Sequence, residues 1–192
     1  MTKARLETFS DGVVAIIITI MVLEMKVPHS DDWGDLAKLT PVFFSYVLSF
    51  IMLGIYWVNH HHLVHAIPTV NASIMWTNLH LLFWLSLIPF ATAWMGESHF
   101  AQHAIILYAA LALACGLAYY FLLFAIKQTH PKHDQLKKLL IRQNIKGIIS
   151  TVAYSMAFVI AFYQPMISLG IFILVALIWF IPDKNIENAF SN

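Results

Sequence analysis

Charge is scarce in this chain. Asp, Glu, Lys and Arg make up only 11% of the 192 residues, hydrophobic residues make up 60%, and the mean hydropathy is +0.74. So little charge excludes an ordinary soluble domain, in which about a quarter of residues are charged. A soluble protein of this length has no core large enough to hide so much apolar surface. Formal net charge is +1, which gives no reason to expect a nucleic-acid partner, and no long run of like charge marks a disordered tail. Cysteine occurs once, as Cys115 in an apolar segment, so the chain has no internal disulfide and the thiol reads as a small core residue. Low-complexity stretches and obvious internal repeats are missing. No small-residue cleavage site follows the N-terminal MTKAR, so a removable signal peptide is not expected.

What is present is hydrophobic length. The first apolar run, within FSDGVVAIIITIMVLEMKVP, is uncharged only between Asp11 and Glu24, short of the roughly twenty residues a membrane helix needs. If the helix instead extends from about Arg5 to Val27, at 1.5 Å per residue it reaches across the hydrocarbon and holds a carboxylate near each end. Five further segments follow: approximately Pro41 to Val64, Ile74 to Met95, Ala101 to Ile126, Ile145 to Phe162, and Pro165 to Ile181. The expected fold is an all-α integral membrane protein, with residues 1–192 forming a single domain of six transmembrane helices.

Basic residues assign the sides, because loops rich in Lys and Arg stay in the cytoplasm. With six spans, one face holds Lys3, Arg5, Lys127, Lys132, Lys137, Lys138, Arg142, Lys146 and Lys184, and the other holds Lys26 and Lys38. Both termini are therefore expected in the cytoplasm. The segment from Lys127 to Lys146 reads as a solvated connection, with a lipid headgroup as the other partner its charge suits. HSDDWGDLAK, after Pro28, reads as a solvated external loop whose Asp31, Asp32 and Asp35 would gather cations near an outer mouth in an oligomer.

Helical spacing of three, four and seven puts Ile16, Thr19, Ile20 and Leu23 on one face of the first helix, with Gly12 one turn below. Two readings fit this stripe. It packs against a neighbouring helix with Thr19 bonding to its own backbone, or several copies surround an axis and narrow a water path to an apolar neck. Carboxylates at Asp11 and Glu24, one near each mouth, suit a cation path. Ser10 or Asp11 is also an ordinary helix cap.

R-L-E-T-F-S-D, from Arg5 to Asp11, carries more information. With Arg5, Phe9, Ser10, Asp11 and Gly12, then Glu24, Lys26, Val27 and Pro28 at the far end, the block resembles the signature of the bacterial branch of the transmembrane protein 175 family of potassium channels. That signature reads R-x-x-x-F-S-D, then Gly and an aliphatic helix ending in acidic-x-basic-Val-Pro. Trp57, Asn59, His60 and His61 resemble the family's end of helix two, and Trp76, Asn78, Pro89 and Phe90 its helix three; the last three helices are similar mainly in hydropathy.

The resemblance implies a potassium channel rather than an enzyme: a homotetramer of six-helix chains with the first helices around a central pore. Eukaryotic relatives carry two such repeats per chain and this chain carries one. The family's constriction falls on Ile16, Ile20 and Leu23 and its pore-facing threonine on Thr19, the residues helical spacing had grouped. No T-V-G-Y-G-like segment offers a filter of stacked carbonyls. Selectivity would then arise from partial dehydration at the aliphatic neck, which costs potassium less than sodium, with the Thr19 hydroxyl offering oxygen to the permeating ion. The expected preference is modest. The expected cofactor set is empty, with K⁺ as the permeant ion, and the expected location is the bacterial plasma membrane among its lipids.

Topology sets Arg5, Ser10 and Asp11 at the cytoplasmic depth of Asn59, His60, His61, Asn78 and His80. Buried polar groups there need partners. The expectation is an interhelical hydrogen-bond network with Arg5 and Asp11 as its charged members; a direct inner ion site at Asp11 is the alternative. In N-H-H-H-L-V-H, His61 and His65 share a helical face, but H-E-x-x-H is missing and no carboxylate is near in sequence, so structural or interfacial histidines are expected, with pH-sensing of gating and then metal binding as the alternatives. Two other classes fit some features. A proton- or cation-coupled transporter would relay through Asp11, Glu24 and the histidines, and should show broken helices in paired halves. A haem- or metal-dependent oxidoreductase would need facing histidine pairs, for which only His80 sits suitably. Pro89 is expected to kink helix three, and the many aromatics to form interfacial belts.

Overall fold

A computed structural model describes residues 2–28, 31–130 and 134–180. Among them the regular secondary structure is all helical: α1 (Lys3–Leu23), α2 (Trp33–Ala37), α3 (Thr40–Ala66), α4 (Ala72–Ser86), α5 (Ile88–Glu97), α6 (Gln102–Thr129), α7 (Asp134–Ala161) and α8 (Pro165–Phe180). Five stretches of helix have the length and hydropathy to cross a membrane: α1, α3, α4 with α5 as one span, α6, and the Gln143–Ala161 part of α7. The apolar α8 is shorter, and Ile181, its expected end, lies outside the described residues.

Local chemistry explains most boundaries. Thr2 caps α1, its hydroxyl accepting from the Arg5 N–H, so Ser10 and Asp11 lie well inside the helix and the capping reading of those two residues is corrected. Asn71 caps α4 by accepting from the Ile74 N–H at 2.9 Å. Pro89 has no N–H to give and crowds the preceding turn, so the third span breaks at Leu87 into α4 and α5. The loop expected to be external contains the one-turn α2, opened by Asp32 accepting from the Gly34 N–H at 2.9 Å. The basic segment differs from expectation more substantially. Lys127 lies in the last turn of α6, and Lys137, Lys138, Arg142 and Lys146 lie on α7, so most of the expected loop is helix.

Packing centres on α6, which touches α4, α5, α7 and α8. Its buried positions include Ala104, Ala109, Ala112, Cys115 and Ala118, small residues that let neighbouring backbones come close. Gly96 of α5 does the same against α3: a Cβ there would stand 2.7 Å from Val42 Cα. Across α3, α5 and α6, Ser49 bonds both Thr92, at 2.7 Å, and the Tyr108 hydroxyl, at 3.1 Å, a buried polar tie in apolar surroundings. α1 packs on α3, α4 and α5, at one side of the bundle.

Candidate pore helix and its anchoring network

α1 has two faces of opposite fate. Leu6, Ser10, Val14, Ile17 and Met21, spaced at three and four, are buried in the bundle. Ile16, Thr19, Ile20 and Leu23 are exposed, with Ile16 59% and Leu23 77% accessible. The four residues grouped by spacing thus form a largely exposed, uncharged stripe on the protomer, with Ile16 and Ile20 lining an open groove beside Pro89 and Phe90 of α5. Gly12 continues the opening, since a Cβ there would meet nothing within 4 Å. The Thr19 hydroxyl donates to the carbonyls of Ala15 and Ile16, both at 3.0 Å. Its oxygen lone pairs remain available outward.

The N-terminal half of α1 is held to α3 by an antiparallel ladder. Lys3, Glu7 and Asp11 follow one another at four-residue steps, as do Trp57, His61 and His65. The Lys3 ammonium donates to the His65 carbonyl. Glu7 Oε1 pairs with His61 Nδ1 at 3.0 Å. The Trp57 indole N–H donates to Asp11 Oδ1 at 2.9 Å. Each rung joins a group on one helix to the matching turn of its neighbour, which fixes the sliding position of α1.

Deeper in, Ser10, His60 and Asn78 join three helices. Ser10 donates to the Leu6 carbonyl at 2.8 Å and accepts from Asn78 Nδ2 at 3.0 Å, while Asn78 Oδ1 bonds His60 Nε2 at 2.6 Å. All three are at most 5% exposed. With its amide nitrogen given to Ser10, Asn78 presents an acceptor to His60, so the histidine carries its proton on Nε2.

Not every expected member joins. Arg5 is exposed and its side chain bonds none of the described residues, and Phe9 is half exposed. Asn59 bonds its own helix at the Ile55 carbonyl, 2.7 Å away. His80 is exposed, accepts from the Trp84 indole at 2.9 Å and lies beside Phe121. Glu7 and Trp57 were not foreseen as partners, although Glu7 stands four residues before Asp11 and Trp57 four before His61. The carboxylate missing beside the histidines in sequence is therefore present in space. Among the described residues no three His, Cys, Asp or Glu side chains gather closely enough to hold a metal.

At the far end Glu24 is exposed, and Lys26 reaches Glu97 of α5 at 2.9 Å. The hydrogen bond and charge of Glu97 raise the Lys26 ammonium above its ordinary pKa.

Long apolar helices, small-residue packing and a first helix pinned by polar rungs define an all-α integral membrane protein. A sequence profile described as endosomal/lysosomal potassium channel TMEM175 matches residues 5–89, which hold nearly all of α1 and, apart from Lys3, both anchoring networks. A potassium channel of Chryseobacterium sp. (strain P1-3) is 50% identical over 98% of each chain, and one of Streptomyces collinus is 36% identical over 66% of each. The crystal structure of a lysosomal potassium-selective channel TMEM175 homologue from Chamaesiphon minutus superposes with a TM-score of 0.80 at 27% identity, covering 92% of this chain and 95% of that one. The chain belongs to the TMEM175 family, a family of channels and not of enzymes.

Proposed function

We propose that this chain forms a modestly potassium-selective cation channel of the bacterial plasma membrane, a homotetramer in which the uncovered stripe of α1 lines the central pore. The observation that carries the reading is the exposure of Ile16, Thr19, Ile20 and Leu23 on a helix whose other face is packed and bonded. An apolar stripe alone also suits lipid. Here it contains a hydroxyl and runs between Asp11 and Glu24, and carboxylates at both ends of an uncharged neck attract cations to its mouths.

Closing four copies around an axis covers this face without leaving an unmatched surface. Ile16, Ile20 and Leu23 then make rings narrow enough to strip part of an ion's water, and the same rings shut the path by dewetting. Potassium, held less tightly by water, passes at lower cost than sodium, and Thr19 supplies oxygen at that point. No cofactor enters the mechanism. With α8 counted as a sixth span, the excess of Lys and Arg on one side supports cytoplasmic termini. A carrier built on broken helices in paired halves is less well supported, because the break at Leu87 has no counterpart within α1, α3, α6, α7 or α8.

Reconstitution into a planar bilayer under opposed potassium and sodium gradients tests the proposal. Ohmic current reversing towards the potassium equilibrium potential is expected; slow, saturable, proton-dependent flux would overturn it.

A further inference from the structure

Between the last turn of α6 and the opposing part of α7 lies an open cleft of about 970 Å³, counting its mouth. Its chemistry is graded. Leu123 and Leu140 form a buried apolar floor, and Phe124 and Ile141, each about half exposed, extend the apolar wall outward. Lys127, His130 and the Asn144 amide stand on the lining as well. Lys127 is exposed, and none of the described residues pairs with its ammonium. Among the described residues no carboxylate lines the cleft. From Lys127 to Lys146 the sequence has six Lys or Arg residues against one acid, Asp134.

The α6 wall is fixed in place. His130 Nε2 is bonded to the Thr69 carbonyl at 3.0 Å, and Thr129 accepts from Asn71 at 2.9 Å, so the end of α6 is tied to the segment preceding α4. An unpaired cation at the end of a membrane-spanning helix, beside an amide and above an aliphatic and aromatic wall, matches one kind of molecule in both polarity and order. The phosphate of a lipid meets the ammonium and amide while its acyl chain lies along Phe124 and Ile141.

We propose that this cleft binds an anionic glycerophospholipid, with Lys127 as the principal headgroup contact, Asn144 as a hydrogen-bond donor, and Phe124 and Ile141 as the seat of the acyl chain. The inference does not depend on permeation, because neither the cleft nor its residues belong to α1.

Native mass spectrometry of the full-length protein in detergent tests it, with phosphatidylglycerol and phosphatidylcholine of identical acyl chains as probes. Phosphatidylglycerol should bind more tightly. Lys127→Gln, at an exposed position, should weaken that binding by about fivefold, the contribution of one basic residue near a lipid surface. Lys127→Arg should retain it. Ile141→Trp should lower it by obstructing the tail seat while Lys127 remains. Equal affinity for the two lipids, or an undiminished preference in Lys127→Gln, would overturn the proposal. Displacement of phosphatidylglycerol by an equal concentration of inorganic phosphate would also overturn it, since that result describes a bare anion site.

Discussion

Glu7 of α1 and His61 of α3 meet at 3.0 Å, on the middle rung of a ladder whose outer rungs are Lys3 with the His65 carbonyl and Asp11 with Trp57. Because the helices run antiparallel, the three contacts fit only one sliding position of α1. Shifting α1 by one residue rotates it by about a quarter turn and breaks every rung. Of the signature residues, Asp11 takes part in this ladder and Ser10 in the buried cluster with Asn78, while Arg5 and Phe9 take part in neither.

The Glu7–His61 pair is only partly buried, with side chains 21% and 44% exposed. A double-mutant cycle with Glu7→Gln and His61→Ala should give a coupling of about 0.2–1 kcal/mol, shrinking with added salt. Unfolding midpoints of the purified protein provide the measurement. Strictly additive single effects would dissolve the rung.

Asn78 matters more to stability because it is fully buried and serves both Ser10 and His60. Asn78→Leu leaves two buried groups without this partner and should cost about 1–3 kcal/mol for each unsatisfied group. The loss should appear as a clear drop in thermal midpoint. A midpoint equal to that of the unaltered protein would show that the contact contributes nothing net.

Two glycines should respond oppositely to alanine. At Gly96 the new methyl would lie 2.5 Å from Ser45 Oγ and 2.7 Å from Val42 Cα, and the backbone atom cannot rotate aside. Gly96→Ala should therefore destabilise the protomer by about 1–3 kcal/mol. Gly12→Ala meets open space in the protomer and gains up to about 1 kcal/mol of helix propensity. Comparing the two unfolding midpoints checks the α3–α5 approach.

Ile16 and Leu23 lie outside the protomer core, so Ile16→Ala and Leu23→Ala should shift protomer stability by no more than about 0.5 kcal/mol. Single-channel recording should instead show higher conductance and weaker preference for potassium over sodium. Unchanged conductance and selectivity would remove both residues from the neck.

Much of this was legible from residue order. Helices in membranes must satisfy their own backbone, so hydropathy located the spans to within a few residues over α1, α3 and α6. Period-3.6 spacing grouped Ile16, Thr19, Ile20 and Leu23 because no competing apolar pattern on α1 includes Thr19. Two things were hidden. The extent of α7 was obscured because its first turns carry Lys137, Lys138 and Arg142, and charge density reads as loop even where a helix continues past the membrane surface. The pairings of Asp11 with Trp57 and Glu7 with His61 depend on how α1 slides along α3, which periodicity within one helix does not encode. Arg5 and His80 were expected in the network on depth alone. Depth puts two residues on one level and leaves the angle around each helix undetermined.

In the proposed channel the open face of α1 looks onto water. Ile20→Cys, expressed with the buried Cys115 left in place, tests it through modification by a charged, membrane-impermeant methanethiosulfonate during bilayer recording. Rapid loss of potassium current is expected in the variant, and none in the unaltered protein. Steady current under that reagent, with labelling of the same cysteine by a lipid-soluble maleimide, would place the stripe against acyl chains and contradict it.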